Sequence, residues 1–397
     1  MFESLTMAPP DPILGLTDAF KKDARPHKIN LSAGVYKTED NQTPVLDCVK
    51  RAERVMLERE SSKTYLPIPG SEEYGTCVRE LLFGAGHEVL TSGRAVSAQT
   101  PGGTGALRVA GDFIHKNLPG AAVWISDPTW ANHGAIFQAA GLEVKKYPYY
   151  DFANNALNFD ALAAALRDVP AGDAVLLHGC CHNPSGMDPD AAQWETMAAI
   201  AKERGWLPLF DFAYQGFGDG LQQDAVGLRA FATEGCELLA CSSFSKNFSL
   251  YNERVGGLTI VAKNADDAAK AMSNLKVSVR CNYSNPPAHG GAIITTILMD
   301  AELRSEWERE LAQMRSRINH MRTLFVDTLA AKGVTRDYSF IARQRGMFSF
   351  AGVTKEQVET LRDKHAIYIV SSGRVNVAGM TTENMEYICE AFADVLK

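Results

Sequence analysis

Between residues 94 and 262 the sequence alternates short apolar runs with helical patterns, and this alternation narrows the folds open to the chain. The candidate strands are Ala95–Gln99, Ala121–Ser126, Leu142–Tyr147, Ala174–His178, Leu207–Asp211, Leu238–Ser242 and Gly257–Val261. Helical periodicity fills several of the intervals, at 104–116, 159–168 and 190–204. Strands that are apolar along their whole length must be covered on both faces. The pattern therefore predicts an α/β domain, a mostly parallel seven-stranded sheet flanked by helices. In such sheets ligands lie beyond the carboxyl ends of the strands. Residues just past a strand are the first places to look for chemistry.

The full 397 residues are too much chain for one domain of ordinary size. A helix is expected at 46–60. Residues 301–332 place Leu303, Trp307, Leu311, Met314, Ile318, Met321 and Leu324 on one stripe of a long helix. After it come the apolar runs MFSF and IYIV and a C-terminal helix. Near the start, Pro9, Pro10 and Pro12 argue against an early helix, and NLSAGVY reads as a strand broken at Gly34. The expected division is a large domain over 46–300 and a smaller α+β domain from 1–45 and 301–397.

Composition removes several classes of function. A net charge of −7 gives no footing for a polyanionic partner. The eight cysteines have no paired CxxC spacing, so reduced thiols are expected and no metal site. Cys180-Cys181-His182 is metal-like in content, but adjacent side chains on an extended strand point to opposite faces. No run approaches the ~20 apolar residues of a membrane span, and the N-terminus carries no leader-like segment. A cytoplasmic protein is expected.

Residues with chemical potential cluster just past the strands. Ser243-Phe244-Ser245-Lys246 follows one of them. A lysine there, beside two hydroxyls, suits a Schiff base with pyridoxal 5'-phosphate, and Arg254 can grip the phosphate as a bidentate fork. The alternative is a solvated lysine in a serine-rich loop. Asp211 ends an apolar strand, where a carboxylate needs a partner such as a protonated pyridine nitrogen; capping a turn would also explain it. Tyr214 and Asn183 can reach the ring's phenolic oxygen, although Asn183-Pro184 is also an ordinary turn starter. Thr100-Pro101-Gly102-Gly103-Thr104-Gly105 lies between a strand and a helix, where main-chain N–H groups favour an anion. It lacks Gly-Lys-Ser/Thr and the third glycine of a dinucleotide fingerprint. Trp130 could stack on a flat ring, and His133 could orient Asp211. Arg374 and Arg280 are guanidinium forks suited to carboxylates, or surface ion-pair residues.

Together, TPGGTGALR, CCHNPSG, DFAYQGFG, SFSKNFSLYNERVGG, NYSNPP and GMFSF resemble the class I, fold-type-I aminotransferases of the aspartate and aromatic amino-acid group. The likeness runs from DPILGL at residue 11 to the C-terminal helix. It implies that Lys246 holds the cofactor and shuttles a proton, that Asp211 pairs with the ring nitrogen, and that Tyr214 and Asn183 bond the ring oxygen. It implies Trp130 over the ring, and Gly103, Thr104, Ser243, Ser245 and Arg254 on the phosphate. Arg374 would take the substrate α-carboxylate, with Gly34, Asn183 and Trp130 nearby. Tyr65 and Arg280 would cross to the neighbouring subunit of a homodimer, to the phosphate and to the distal carboxylate of the substrate. The small domain would close over amino-acid and 2-oxo-acid substrates.

The amino donor is read from finer features. Val35, Lys37, Thr43, Thr104 and Asn285 are similar to the aspartate-type members, whereas Phe244 leans towards the aromatic type and Thr64 fits neither pattern. Aspartate with 2-oxoglutarate is the expectation, and tyrosine or phenylalanine the alternative. A non-catalytic regulatory module that binds the cofactor is the remote alternative.

Overall fold

The computed structural model describes residues 2–7 and 14–397, with the backbone alone at Leu14. Pro9, Pro10, Pro12 and the beginning of the DPILGL run lie outside the described residues. The chain forms two compact units, one of Pro44–Ser316 and one of Met1–Thr43 with Arg317–Lys397.

The larger unit is built on seven strands, β1 (Ala95–Pro101), β2 (Ala122–Asp127), β3 (Glu143–Pro148), β4 (Ala174–His178), β5 (Leu207–Phe212), β6 (Leu238–Ser243) and β7 (Val255–Val261). Their spatial order is β1-β7-β6-β5-β4-β2-β3. All neighbouring pairs are parallel except those of β7, which runs antiparallel to both β1 and β6. Every residue of β4, β6 and β7 is buried, as a sheet covered on both faces requires. Helix α1 (Gly102–Asn117) lays Ala106, Leu107, Ala110 and Ile114 into the same core as Leu239, Cys241, Leu258 and Ile260. The carboxyl ends of β1, β2, β4, β5 and β6 share one edge of the sheet.

The smaller unit is α+β. Strand β8 (Phe348–Phe350) pairs antiparallel with β9 (Arg374–Asn376), and Ile29–Asn30 pairs parallel with Ile367–Tyr368. Thr381 starts the C-terminal helix Thr382–Val395 with a capping box to Asn384. That helix buries Ile388 and Phe392, the latter edge-on to Phe325 at 5.3 Å.

The long helix α2 (Ala301–Ala331) belongs to both units. The division falls within it, not before residue 301. The reason is a change of partners along one helix. In its first half Trp307 stacks on Phe248 at 4.3 Å, its Nε1 donates to Asn247 O, and Glu310 accepts the main-chain N–H groups of Asp47 and Cys48. From Arg317 onward its side chains bond residues of the smaller unit. Among the described residues no helix is long and apolar enough to cross a membrane.

Candidate active site

The shared strand edge collects most of the candidate residues. In-register pairing sets His178 beside Asp211, and Asp211 beside Cys241. Asp211, the next-to-last residue of β5, is therefore flanked on both sides, and it is 9% exposed. Burial alone would push its carboxyl up. The hydrogen bond from His133, with the charges of His133, His178 and Lys246, outweighs that and holds it below the usual range. His133 Nε2 lies 3.0 Å from Asp211 Oδ2.

Lys246 follows β6, and its Nζ sits 4.8 Å from the centre of the Tyr214 ring. Burial lowers its amine from the ordinary lysine value. The carboxylate of Asp211 opposes the shift and Arg254 reinforces it. The net result is an amine that sheds its proton more readily, beside a carboxylate that keeps its charge.

A second group of atoms is arranged for an anion. Gly102, with φ of +74°, begins α1 at once, so Gly103 and Thr104 lie in the helix's first turn. No side chain caps that turn. Its unsatisfied N–H groups and the helix dipole face the strand edge. A Cβ on Gly103 would lie 2.9 Å from Ser243 Cβ, so only glycine lets the turn approach so closely. Ser243 Oγ reaches Ser245 Oγ at 3.3 Å, and Arg254 Nη1 reaches Ser245 Oγ at 3.3 Å. Two hydroxyls, a guanidinium and an uncapped helix end are thus gathered in one place, an arrangement that favours an anion. Half-buried Trp130 stands just past β2, edge-on to His133 at 5.2 Å.

In the smaller unit, Arg374 opens β9 after Gly373 and is 5% exposed. Its Nη2 donates to Ser32 O at 2.8 Å, and the guanidinium lies over the Phe348 ring. Gly34 packs on the edge of that same ring.

The model of the class I and II aminotransferases matches residues 26–392. The chain belongs to that family. It is 58% identical to the aspartate aminotransferase of Escherichia coli (strain K12) over 396 residues, all of both chains. Against the aromatic-amino-acid aminotransferase of Pseudomonas aeruginosa the identity is 46%, over 99% of this chain and 98% of the relative. Among solved structures, the aromatic-amino-acid aminotransferase of Burkholderia pseudomallei, covalently bound to pyridoxal phosphate, superposes with a TM-score of 0.98 at 48% identity, with both chains fully covered.

Within this aminotransferase chain two expected residues stand apart from the cluster. Tyr65 is 92% exposed, and Arg280 is exposed with Nη1 donating to Ser284 Oγ. Asn285 Nδ2 donates to Leu66 O, so the segments carrying the two are tied together.

The structure also adds residues that the sequence did not single out. Thr129 Oγ1 lies 2.8 Å from His133 Nδ1 and 2.9 Å from His178 Nε2. The main-chain N–H of Asn183 donates to His178 Nδ1 at 3.4 Å. The donor directions then follow one another. His178 carries its proton on Nε2 and donates to Thr129, Thr129 donates to His133, and His133 donates to Asp211. The available signals were the four-residue spacing of Thr129 and His133 and the strand-end position of His178. Both become informative only once β4 and β5 are known to be neighbours.

Cys180 and Cys181 correct one expectation. Cys181 has φ of +52°, past the end of β4, so alternation of faces does not apply. The two sulfurs and the Asp224 carboxylate converge within 4.8 Å, all buried. Asp224 accepts the main-chain N–H groups of Gly216, Gly218, Asp219 and Gly220, which leaves its oxygens engaged in holding that loop. Burial pushes the Cys180 thiol well up. His182 is directed elsewhere, between Ser126 and Ser185.

Proposed function

We propose that this chain is a pyridoxal 5'-phosphate-dependent aminotransferase that converts aspartate and 2-oxoglutarate to oxaloacetate and glutamate with ping-pong kinetics. The observation that carries the reading is Lys246: an amine depressed by burial, beside the ionised Asp211 and next to a phosphate cradle. The donor set fits the cofactor. A cradle with no room for a Cβ at Gly103 suits its phosphate, and a buried anion suits its ring nitrogen. Bound there, the cofactor supplies an electron sink for the substrate α-carbon.

In this reading Lys246 holds the cofactor covalently, then as a free amine takes the proton from the substrate α-carbon. Asp211 stays ionised through its bond from His133. Tyr214 and Asn183 bond the ring oxygen, and Trp130 covers the ring. Gly103, Thr104, Ser243, Ser245 and Arg254 hold the phosphate. Arg374 grips the α-carboxylate, with Gly34, Asn183 and Trp130 beside it. Tyr65 and Arg280, exposed in the single chain, serve the neighbouring subunit of a homodimer. The enzyme works in the cytoplasm.

The preference for aspartate is supported by 58% identity over the whole chain to an aspartate aminotransferase, against 46% for an aromatic one. The aromatic reading is kept as the second, because a solved aromatic aminotransferase is 48% identical over its full length. The test is a panel of aspartate, tyrosine and phenylalanine with 2-oxoglutarate. Aspartate should give the highest kcat/KM. A higher value for tyrosine or phenylalanine would transfer the chain to the aromatic reading, and absence of glutamate with every donor would end the transaminase reading.

A further inference from the structure

Arg374 sits in the smaller unit as a nearly buried cation, and such a group costs free energy unless something replaces its water. Ser32 O supplies one acceptor at 2.8 Å. The Phe348 ring supplies a face, with Arg374 Cζ 4.2 Å from the ring centre. Strand pairing sets Phe350, not Phe348, directly opposite Arg374. Phe348 is the diagonal neighbour on the same face, a separation that an aromatic ring can span.

The ring is itself held in place. Arg322, on the second half of α2, is 1% exposed. Its Nη2 donates to the carbonyls of Gly346 at 2.6 Å and Phe348 at 2.8 Å. Its Nη1 donates to Ile341 O at 3.1 Å and to Ser349 Oγ. One guanidinium thus clamps the main chain on both sides of Phe348. From the other side Gly34 closes on the ring: a Cβ built there would stand 3.2 Å from Phe348 Cζ. Asn376 Nδ2 holds that turn through the carbonyls of Ala33 and Val35, at 2.6 and 2.8 Å.

We propose that Phe348, clamped by Arg322, is a positioning residue for Arg374. Its π-face takes the place of water over one side of the guanidinium and fixes the plane in which the N–H groups would meet a carboxylate. The inference rests on the reading of Arg374 as the carboxylate-binding residue. A cation over an aromatic face gains most where both are desolvated, and an aliphatic side chain of similar volume cannot supply that attraction.

The experiment measures KM for both substrates, kcat, and the inhibition constant of succinate, a dicarboxylate with no amino group, on the holoenzyme. Phe348→Leu should raise the inhibition constant and both KM values about tenfold while kcat changes less than about threefold. Phe348→Tyr, which keeps the ring, should stay within about twofold of the parent. Arg322→Lys should fall between, because one ammonium cannot reach all four acceptors. An unchanged succinate constant in Phe348→Leu, with a raised one in Arg374→Lys, would overturn the proposal. So would equal losses in the leucine and tyrosine variants. If Arg374→Lys also leaves succinate binding unchanged, the carboxylate reading of Arg374 falls, and this proposal with it.

Discussion

Lys246 is under opposed pressures: burial lowers its amine, Asp211 raises it, and Arg254 lowers it again. The net shift produces a better base at neutral pH than a solvated lysine. Replacing Lys246 with alanine removes both the covalent anchor and the proton carrier. Turnover should drop at least about 10²–10⁴-fold, the usual range for a positioned base, and the visible absorbance of lysine-bound cofactor should vanish. Activity within tenfold of the parent would remove Lys246 from the chemistry. Lys246 and Asp211 stood out as candidates because each follows or ends an apolar run, where a charged side chain needs a reason, whereas Asn183-Pro184 alone reads as a turn starter and drew notice through the resemblance. His178 and Thr129 did not stand out. A histidine closing a strand is ordinary, and its bond to Thr129 spans 49 residues of sequence. Only the pairing of strands distant in sequence gives it meaning.

The seven strands lie within two residues of the runs that predicted them; in β4 and β7, buried along their whole length, the sheet's two covered faces leave little room for polar interruption, whereas β3 at the sheet edge carries Glu143, Lys145 and Lys146. Direction is different. The antiparallel course of β7 was not legible, since an apolar run reads the same whichever way it points. The split within α2 was equally hidden: one amphipathic stripe continues along the helix while its partners change. The helical pattern was read from residue 104, whereas α1 already begins at Gly102, whose neighbouring glycine looks like a turn residue. Its close approach to Ser243 provides a test at this scale. Gly103→Ala would place a Cβ 2.9 Å from Ser243 Cβ, a clash that typically costs about 1–3 kcal/mol. The turn must then withdraw from the hydroxyls. Dissociation of pyridoxal 5'-phosphate, measured by equilibrium dialysis, should weaken about tenfold with helix content unchanged by circular dichroism. A dissociation constant within about twofold of the parent would mean that the first turn does not contribute to the cradle.

The stability of the whole molecule should carry the mark of its buried histidines. His178 is pushed down to about 3 by burial, with the charge of His133 adding to the shift and Asp211 opposing it; His182 is held well below 6.5, also mainly by burial. In the unfolded chain both regain an ordinary value near 6.5. Between pH 6.5 and about 3 the unfolded state therefore binds protons that the folded state refuses. Stability must rise with pH across that window and be lost as pH falls through it. One unit below the unfolded value, each histidine that stays neutral in the fold should cost about 1.4 kcal/mol relative to neutral pH. His178→Asn also breaks the chain of bonds through Thr129, so its stability at a single pH mixes two effects. The difference between two pH values separates them. Urea unfolding of the cofactor-saturated parent and variant, at about pH 7.5 and 5.5, should show the variant losing about 1.4 kcal/mol less than the parent on acidification. Equal losses would mean that His178 takes up a proton in the fold as readily as out of it, and the donor directions running from Asn183 to Asp211 would have to be redrawn.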